Sequence, residues 1–156
     1  MINIKINGFG DVKLEHVVSD YNGTLAHDGF LIEGVKERLA QLAQLVTVHI
    51  ITADTFGRAA SQLQDSPVKL HIISAGNEDE QKVDYVKNLS EHNVAAFGNG
   101  NNDRKMLEAA RLGIAVMEGE GCAAKTILAA DIVVSSILAG LDVLLHPKRC
   151  KASLRY

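Results

Sequence analysis

An α/β fold, with a mainly parallel sheet flanked by helices, is predicted from three features of this sequence. From residue 17 onward, short β-branched or apolar runs alternate with longer segments whose apolar residues recur at helical spacing. Some of those runs, such as Val46 to Ile51, are mostly apolar rather than strictly alternating, as expected of strands covered on both faces. Several of the runs end on polar residues, and in open parallel sheets such ends gather along one edge.

The elements follow in order. Ile2, Ile4 and Ile6 alternate with polar residues, Asn7-Gly8-Phe9-Gly10 supplies turn chemistry, and Val12 and Leu14 resume the alternation. This predicts an N-terminal β-hairpin. Val17-Val18-Ser19-Asp20 is a short strand that stops at an acid, and Ala26-His27-Asp28-Gly29 reads as loop. Residues 32–45 carry Val35, Leu39, Leu42 and Leu45 as a helical stripe, and Val46 to Ile51 is a buried strand. Thr55 to Gln64 reads as a helix ended by Pro67, followed by a strand at Leu70-His71-Ile72-Ile73. Gln81 to Glu91 is helical, with Val83, Val86 and Leu89 on one side. Val94 to Phe97 is the next strand, broken by Gly98-Asn99-Gly100; Asn101, Asn102 and Asp103 are cap candidates for a helix reaching Arg111. A strand at Gly113 to Met117, a helix at Cys122 to Ala129, a strand at Ile132 to Val134 and a helix at Ile137 to Leu145 complete the order. Strands alternating with helices imply right-handed crossovers, a parallel sheet and helices on both of its faces.

A chain of 156 residues fits one domain spanning 1–156. Its 47% hydrophobic and 22% charged residues are ordinary for a soluble globular protein. The net charge of −3 argues against a nucleic-acid partner, which asks for a clustered basic face. The short basic stretch Pro147-Lys148-Arg149-Cys150-Lys151, with Arg155, reads as a solvated tail or helix end. The two cysteines, Cys122 and Cys150, form no C-x-x-C pair, and the six histidines are scattered without ligand spacing. Lone thiols fit a reducing cytosol, no run reaches the roughly 20 apolar residues of a membrane span, and the N-terminus is a strand rather than a leader. The expected setting is the cytoplasm, with no membrane partner.

The strand ends carry the chemistry. Asp20 closes one strand, Thr52 another, and Gly98 to Asp103 follows a third. If these strands are adjacent and parallel, their tips gather a carboxylate, a hydroxyl and an amide-plus-carboxylate cluster, with Lys82 as the nearby cation. A carboxylate can attack phosphorus and hold the phosphoryl group as an acyl phosphate. Two anions must then meet, so a lysine and a divalent cation are needed to offset their charge. Glycines at 23, 98 and 100 would let backbone amides come close to phosphate oxygens, and Mg²⁺ would take carboxylate, carbonyl and water oxygens.

Asp20-Tyr21-Asn22-Gly23-Thr24-Leu25 resembles the first motif of the haloacid-dehalogenase (HAD) superfamily, D-x-D-G-T-L, and the D-K-T-G-T of P-type ATPases. Ile51-Thr52 is similar to the second motif, Lys82 to the third, and Gly98-Asn99-Gly100-Asn101-Asn102-Asp103 to the fourth, G-D-G-x-N-D. Leu107 to Val116 and Ala129 to Val134 are similar to the end of the P-type ATPase phosphorylation domain. The resemblance covers about residues 15 to 135, and the nearest kin it suggests are the small soluble P-type ATPase-like proteins. It implies a HAD-like Rossmannoid fold, a phosphorylated substrate and bound Mg²⁺. It also implies Asp20 as nucleophile, and Gly23, Thr24, Thr52, Lys82 and Asn102 as phosphate-binding. Asp20, Asn22, Asn99 and Asp103 would be the metal's ligands.

Two departures from that pattern matter. Asn22 stands where HAD phosphatases place the Asp that serves as general acid and base, and an amide cannot shuttle protons. Asn99 stands where the family puts a metal-binding Asp, which predicts weakened Mg²⁺ affinity, with Asp103 left to take over directly or through water. Only about thirty positions separate Asp20 from Thr52, so no cap domain is expected, and an apolar patch left open there would favour homo-oligomers. The predicted function is a slow Mg²⁺-dependent phosphatase or phosphotransferase with an aspartyl phosphate at Asp20. The alternative is a degenerate relative that binds phosphate, nucleotide or a protein partner. An aspartyl-phosphate receiver ranks third, because Glu15-His16-Val17-Val18-Ser19 lacks the acids that receivers gather before the acceptor.

Overall fold

The computed structural model describes residues 1–54 and 57–156. The chain opens with an antiparallel hairpin, β1 (Ile2–Ile6) and β2 (Gly10–Leu14), in register from Ile2 opposite Leu14 to Ile6 opposite Gly10. Its Ile2, Ile4, Ile6, Val12 and Leu14 are buried while the alternate residues are exposed, the period-two pattern of a half-covered ribbon. Next come β3 (His16–Asp20), a small hairpin β4 (Ala26–His27) and β5 (Phe30–Leu31), α1 (Val35–Ala43) and β6 (Thr47–Thr52). They are followed by α2 (Arg58–Gln62), β7 (Lys69–Ile72), α3 (Glu78–Asn88) and β8 (Val94–Gly98). The chain then runs through α4 (Arg104–Ala109), β9 (Leu112–Val116), α5 (Ala124–Ala129), β10 (Ile132–Val134), α6 (Ile137–Leu145) and α7 (Pro147–Leu154).

Six strands form one sheet in the order β10-β9-β8-β3-β6-β7, and every pairing within it is parallel. The chain moves from β3 outward through β6 to β7, then crosses back to β8 on the other side of β3 and moves outward again. The direction therefore reverses at β3 and β8, and the crevice beyond their carboxyl ends is where such a sheet holds its working groups. Side-chain alternation assigns the two faces. Val17, Val48, Ile50, Phe97 and Ile114 face α1, α6, α7 and the hairpin. Val18, Ile51, Ala96 and Ala115 face α3, α4 and α5. No helix of the described residues is long and apolar enough to cross a membrane.

The predicted sheet, its flanking helices and the hairpin are all present, with local differences that have physical causes. The loop expected at Ala26–Gly29 is part of the β4–β5 hairpin. Asp28 and Gly29 take φ of 50° and 80°, the left-handed pair that a tight two-residue hairpin turn requires. Leu45 falls outside α1 and is 44% exposed, because the helix ends at Ala43. The helix predicted from Gln81 begins at Glu78, where three acids fill the first turn and suit the amino end of the helix dipole. A 3₁₀ turn at Asn101–Asp103 precedes α4, which is shorter than expected at its end. The basic C-terminal stretch is a helix with Pro147 in its first turn and Cys150 fully buried. Of the helix read over residues 55–64, Thr55 and Phe56 lie outside the described residues, and α2 covers Arg58–Gln62.

Candidate active site

Asp20 is the last residue of β3, the strand paired on both sides at the centre of the sheet. Its parity with Val18 turns its side chain toward the face covered by α3. Lys82, on the first half of α3, meets it there. The Lys82 Nζ donates to Asp20 Oδ1 at 2.8 Å and to Asp103 Oδ1 at 2.7 Å. All three side chains are buried, Lys82 and Asp103 almost completely. The other oxygen of Asp103 accepts the backbone amides of Asn99 and Gly100 at 3.0 and 2.9 Å. Asp103 thus holds the lysine with one oxygen and the turn after β8 with the other. Gly98 makes the tuck possible, since a Cβ there would lie 2.4 Å from the Asp103 Cβ.

Thr24 completes the inner layer. Its hydroxyl lies 3.1 Å from Asp20 Oδ2 and 3.2 Å from Asn99 Oδ1, while the Asn99 amide nitrogen donates to Gly121 O at 3.0 Å. Gly23 has φ of 76°, and a Cβ on it would sit 2.4 Å from Asn99 Nδ2, so glycine is required for this close approach. Its amide, expected to reach phosphate, instead donates to Ala26 O at 2.9 Å. Thr52 ends β6, one residue beyond the Ile51 that pairs with Asp20, and its hydroxyl oxygen accepts the Asp54 amide at 3.2 Å. Asp54 accepts the amides of Ala59 and Ala60 and caps α2. Asn102 reaches away from the cluster and donates to Glu78 Oε2 at 2.8 Å.

The charges of this layer do not balance. Two carboxylates share one ammonium in a dry pocket. Burial, and then the facing Asp103 carboxylate, push Asp20 up to about 7 against the opposing pull of Lys82 and Thr24. Burial pulls the Lys82 ammonium down, but the two carboxylates outweigh it and hold its pKa above the ordinary value. An added cation would relieve the excess negative charge. The oxygens that could hold one are those of Asp20, the Asn22 carbonyl and the Asn99 side chain, a hard donor set suited to Mg²⁺, with those of Asp20 and Asn99 already accepting bonds from Lys82 and Thr24. Among the described residues no group of three or more His, Cys, Asp or Glu side chains is arranged to hold a metal, so neutral oxygens would complete the shell.

Beside Asn22 lies a cavity of about 350 Å³ lined by Asp28, Gly29, Ala53, Asp54, Arg58 and Glu120. The β4–β5 hairpin forms one wall, tied to α2 by Arg58 and Gln62, which donate to Asp28 O and Gly29 O at 3.1 and 2.7 Å. Of the residues singled out in the sequence, the structure brings Asp20, Thr24, Lys82, Asn99 and Asp103 into one bonded cluster, with Thr52 at the end of the neighbouring strand. Sequence reasoning missed the partners Glu78, Gly121 and the hairpin wall; of these only the Asp28-Gly29 turn carried a local signal.

Residues 51–136, just over half of the chain, match the family model described as haloacid dehalogenase-like hydrolase. Two uncharacterized proteins of Methanocaldococcus jannaschii are similar in sequence. One is 44% identical over 84 residues, 51% of this chain and 90% of that protein. The other is 49% identical over 39 residues, 25% of this chain and 89% of that protein. Among solved structures, the cobalt-bound deoxy-D-mannose-octulosonate 8-phosphate phosphatase of Haemophilus influenzae superposes with a TM-score of 0.71 at 16% identity, over 90% of this chain and 92% of that one. The corresponding phosphatase of Moraxella catarrhalis, solved with magnesium ion, phosphate ion and KDO, gives 0.66 at 19% identity, over 90% of each chain. A zinc-transporting PIB-type ATPase gives 0.63 at 27% identity, over 80% of this chain and 20% of that one. The matching family model, together with a sheet that reverses direction where Asp20, Lys82 and Asp103 meet, shows that the chain belongs to the haloacid dehalogenase-like hydrolases.

Proposed function

We propose that this chain is a Mg²⁺-dependent phosphatase or phosphotransferase that works through an aspartyl phosphate on Asp20. The supporting observation is the buried Lys82 ammonium shared between Asp20 and Asp103 at the tip of the central strand. In this reading residues 1–156 act as one domain with an open site. The Asp20 carboxylate attacks phosphorus, the bond to the leaving oxygen breaks, and water later attacks the acyl phosphate to release inorganic phosphate. Lys82 neutralises the incoming phosphoryl oxygens, and the Thr52 hydroxyl donates to one of them. Thr24 orients the attacking carboxylate. Asp20, the Asn22 carbonyl and Asn99 would hold Mg²⁺, whose chemistry here is to offset the repulsion between carboxylate and phosphate. Asp103, with both oxygens engaged, would reach the metal only through water, and its main work is to hold Lys82 and the Asn99–Gly100 turn. Asn102 would contribute to phosphate binding only on leaving Glu78.

Asn22 is exposed at the cavity but offers an amide where a proton must be given and taken, so turnover is slow in this proposal. A second reading, a binding protein without turnover, draws support from Asn99, whose amide is bonded at both ends inside the protein. Mg²⁺-dependent turnover of an aryl phosphate, with Asp20→Asn as control, separates the two. Turnover above the control supports the enzyme. Equal rates, with no acyl phosphate trapped from acetyl phosphate, support the binding protein.

A further inference from the structure

The face of the sheet that carries Asp20 holds a second polar contact with α3, farther from the carboxyl ends of the strands and partly buried. Tyr85 lies one turn beyond Lys82, on the same side of the helix. Its hydroxyl is 2.8 Å from His49 Nδ1, and His49 Nε2 is 3.1 Å from His16 Nδ1. His49 is only 2% exposed, a buried polar group in the middle of β6. His71 of β7 stacks on the Tyr85 ring with centroids 4.6 Å apart. Burial, with His16 and Lys69 nearby, pulls His49 down to about 4, so it stands neutral and gives the chain one donor and one acceptor nitrogen.

The placement of these residues gives the network its meaning. His16 precedes Asp20 by four residues on β3, and His49 precedes Thr52 by three on β6. Between this contact and the Lys82–Asp20 contact, the helix meets the sheet through Val18, Ile51, Val86 and Ala96. Apolar packing is non-directional and tolerates sliding, whereas a buried hydrogen bond has a fixed length and angle. Two polar rungs on one helix therefore fix both its depth and its rotation.

We propose that Tyr85 and His49 are positioning residues, which set the height of α3 on the sheet and so hold Lys82 against Asp20 and Asp103. The inference rests on the catalytic reading of Lys82, and its test has a readout that does not. A buried, hydrogen-bonded ammonium exchanges slowly with water, so the Lys82 ¹⁵Nζ resonance reports its contacts without any substrate.

Tyr85→Phe keeps the ring and its stack on His71 and removes only the hydroxyl. The expected result is a broadened or shifted Lys82 resonance and a kcat lower by roughly five- to tenfold with KM little changed. His49→Leu should reproduce both effects, and the double variant should be no worse than either single one, since all three lack the same bond. His49→Asn, whose amide can stand in for Nδ1, should restore the resonance and the rate. A variant that lowers only the melting temperature, with resonance and kcat unchanged, overturns the proposal, as does full additivity in the double variant. If the wild type shows no turnover above Asp20→Asn, the phosphatase reading fails by itself, and the resonance of Tyr85→Phe still decides whether the contact positions Lys82.

Discussion

On one face of the sheet, Val17, Val48, Phe97 and Ile114 meet the apolar sides of α1 and α6, and the N-terminal hairpin extends the same cluster. On the other, Val18, Ile51, Ala96 and Ala115 share the interface with Lys82, Asp103 and His49. Among the described residues the first cluster holds 29 buried side chains and the second ten, so most of the hydrophobic stabilisation comes from the first face. The second gives up apolar contact for directional polar bonds. Buried charges cost free energy unless paired, and here two carboxylates share one lysine. One layer thus supports the fold, and the other spends part of that support on the geometry at Asp20.

That division can be broken most sharply at Asp20. Asp20→Asn should abolish acyl-phosphate formation and all turnover above background, while circular dichroism remains native; residual turnover equal to wild type would place the chemistry elsewhere. The next largest effect runs the other way. Asn22→Asp restores a proton-transfer group beside the cavity and should raise kcat, with roughly 10²–10⁴-fold as the range for such groups. A rate unchanged by this substitution would show that proton transfer does not limit turnover.

Leu39→Ala tests the supporting face. Leu39 is fully buried in α1, in the cluster on the sheet face opposite Lys82, and its truncation should cost about 2–5 kcal/mol in urea unfolding. Turnover per folded molecule should stay at the wild-type value, and a parallel loss of both would break the comparison.

The smallest effect concerns acid. The folded state holds His49 at about 4, below the ordinary 6.5, because burial disfavours its charged form. The unfolded chain then binds the proton first as pH falls. The stability this histidine contributes is complete above about 6.5 and drains away toward pH 4, a loss on the order of 2 kcal/mol. Asp20, with its pKa raised to about 7, acts with the opposite sign, so the comparison belongs in the Asp20→Asn background. There, the difference in urea midpoint between pH 7 and pH 4.5 should shrink when His49 is replaced by Asn.

Much of this was written locally. The continuous apolar run at Val46 to Ile51, the stripe of Val35, Leu39 and Leu42, and the polar residues closing each strand announced a parallel sheet with a working edge, because periodicity and strand ends are properties of short segments. The positions of Asp20 and of the Gly98–Gly100 turn at strand ends were legible for the same reason. The β4–β5 hairpin was not, since two-residue strands are too short to carry a pattern. The histidines looked scattered, yet His16, His49 and His71 lie on three strands that the sheet order places side by side, with Tyr85 of α3 against them.

Spacing along the chain thus set the elements, their order and the kinds of group at their tips. Whether those groups are free or engaged was decided by packing. Asp103 looked like an open metal ligand and has both oxygens bonded, Gly23 looked like a phosphate amide and donates to Ala26, and Asn99 is turned toward Gly121. Each of these bonds joins residues brought together by burial rather than by sequence separation. A buried polar group takes whatever partner the fold places within about 3 Å, and that choice exists only once the chain has folded.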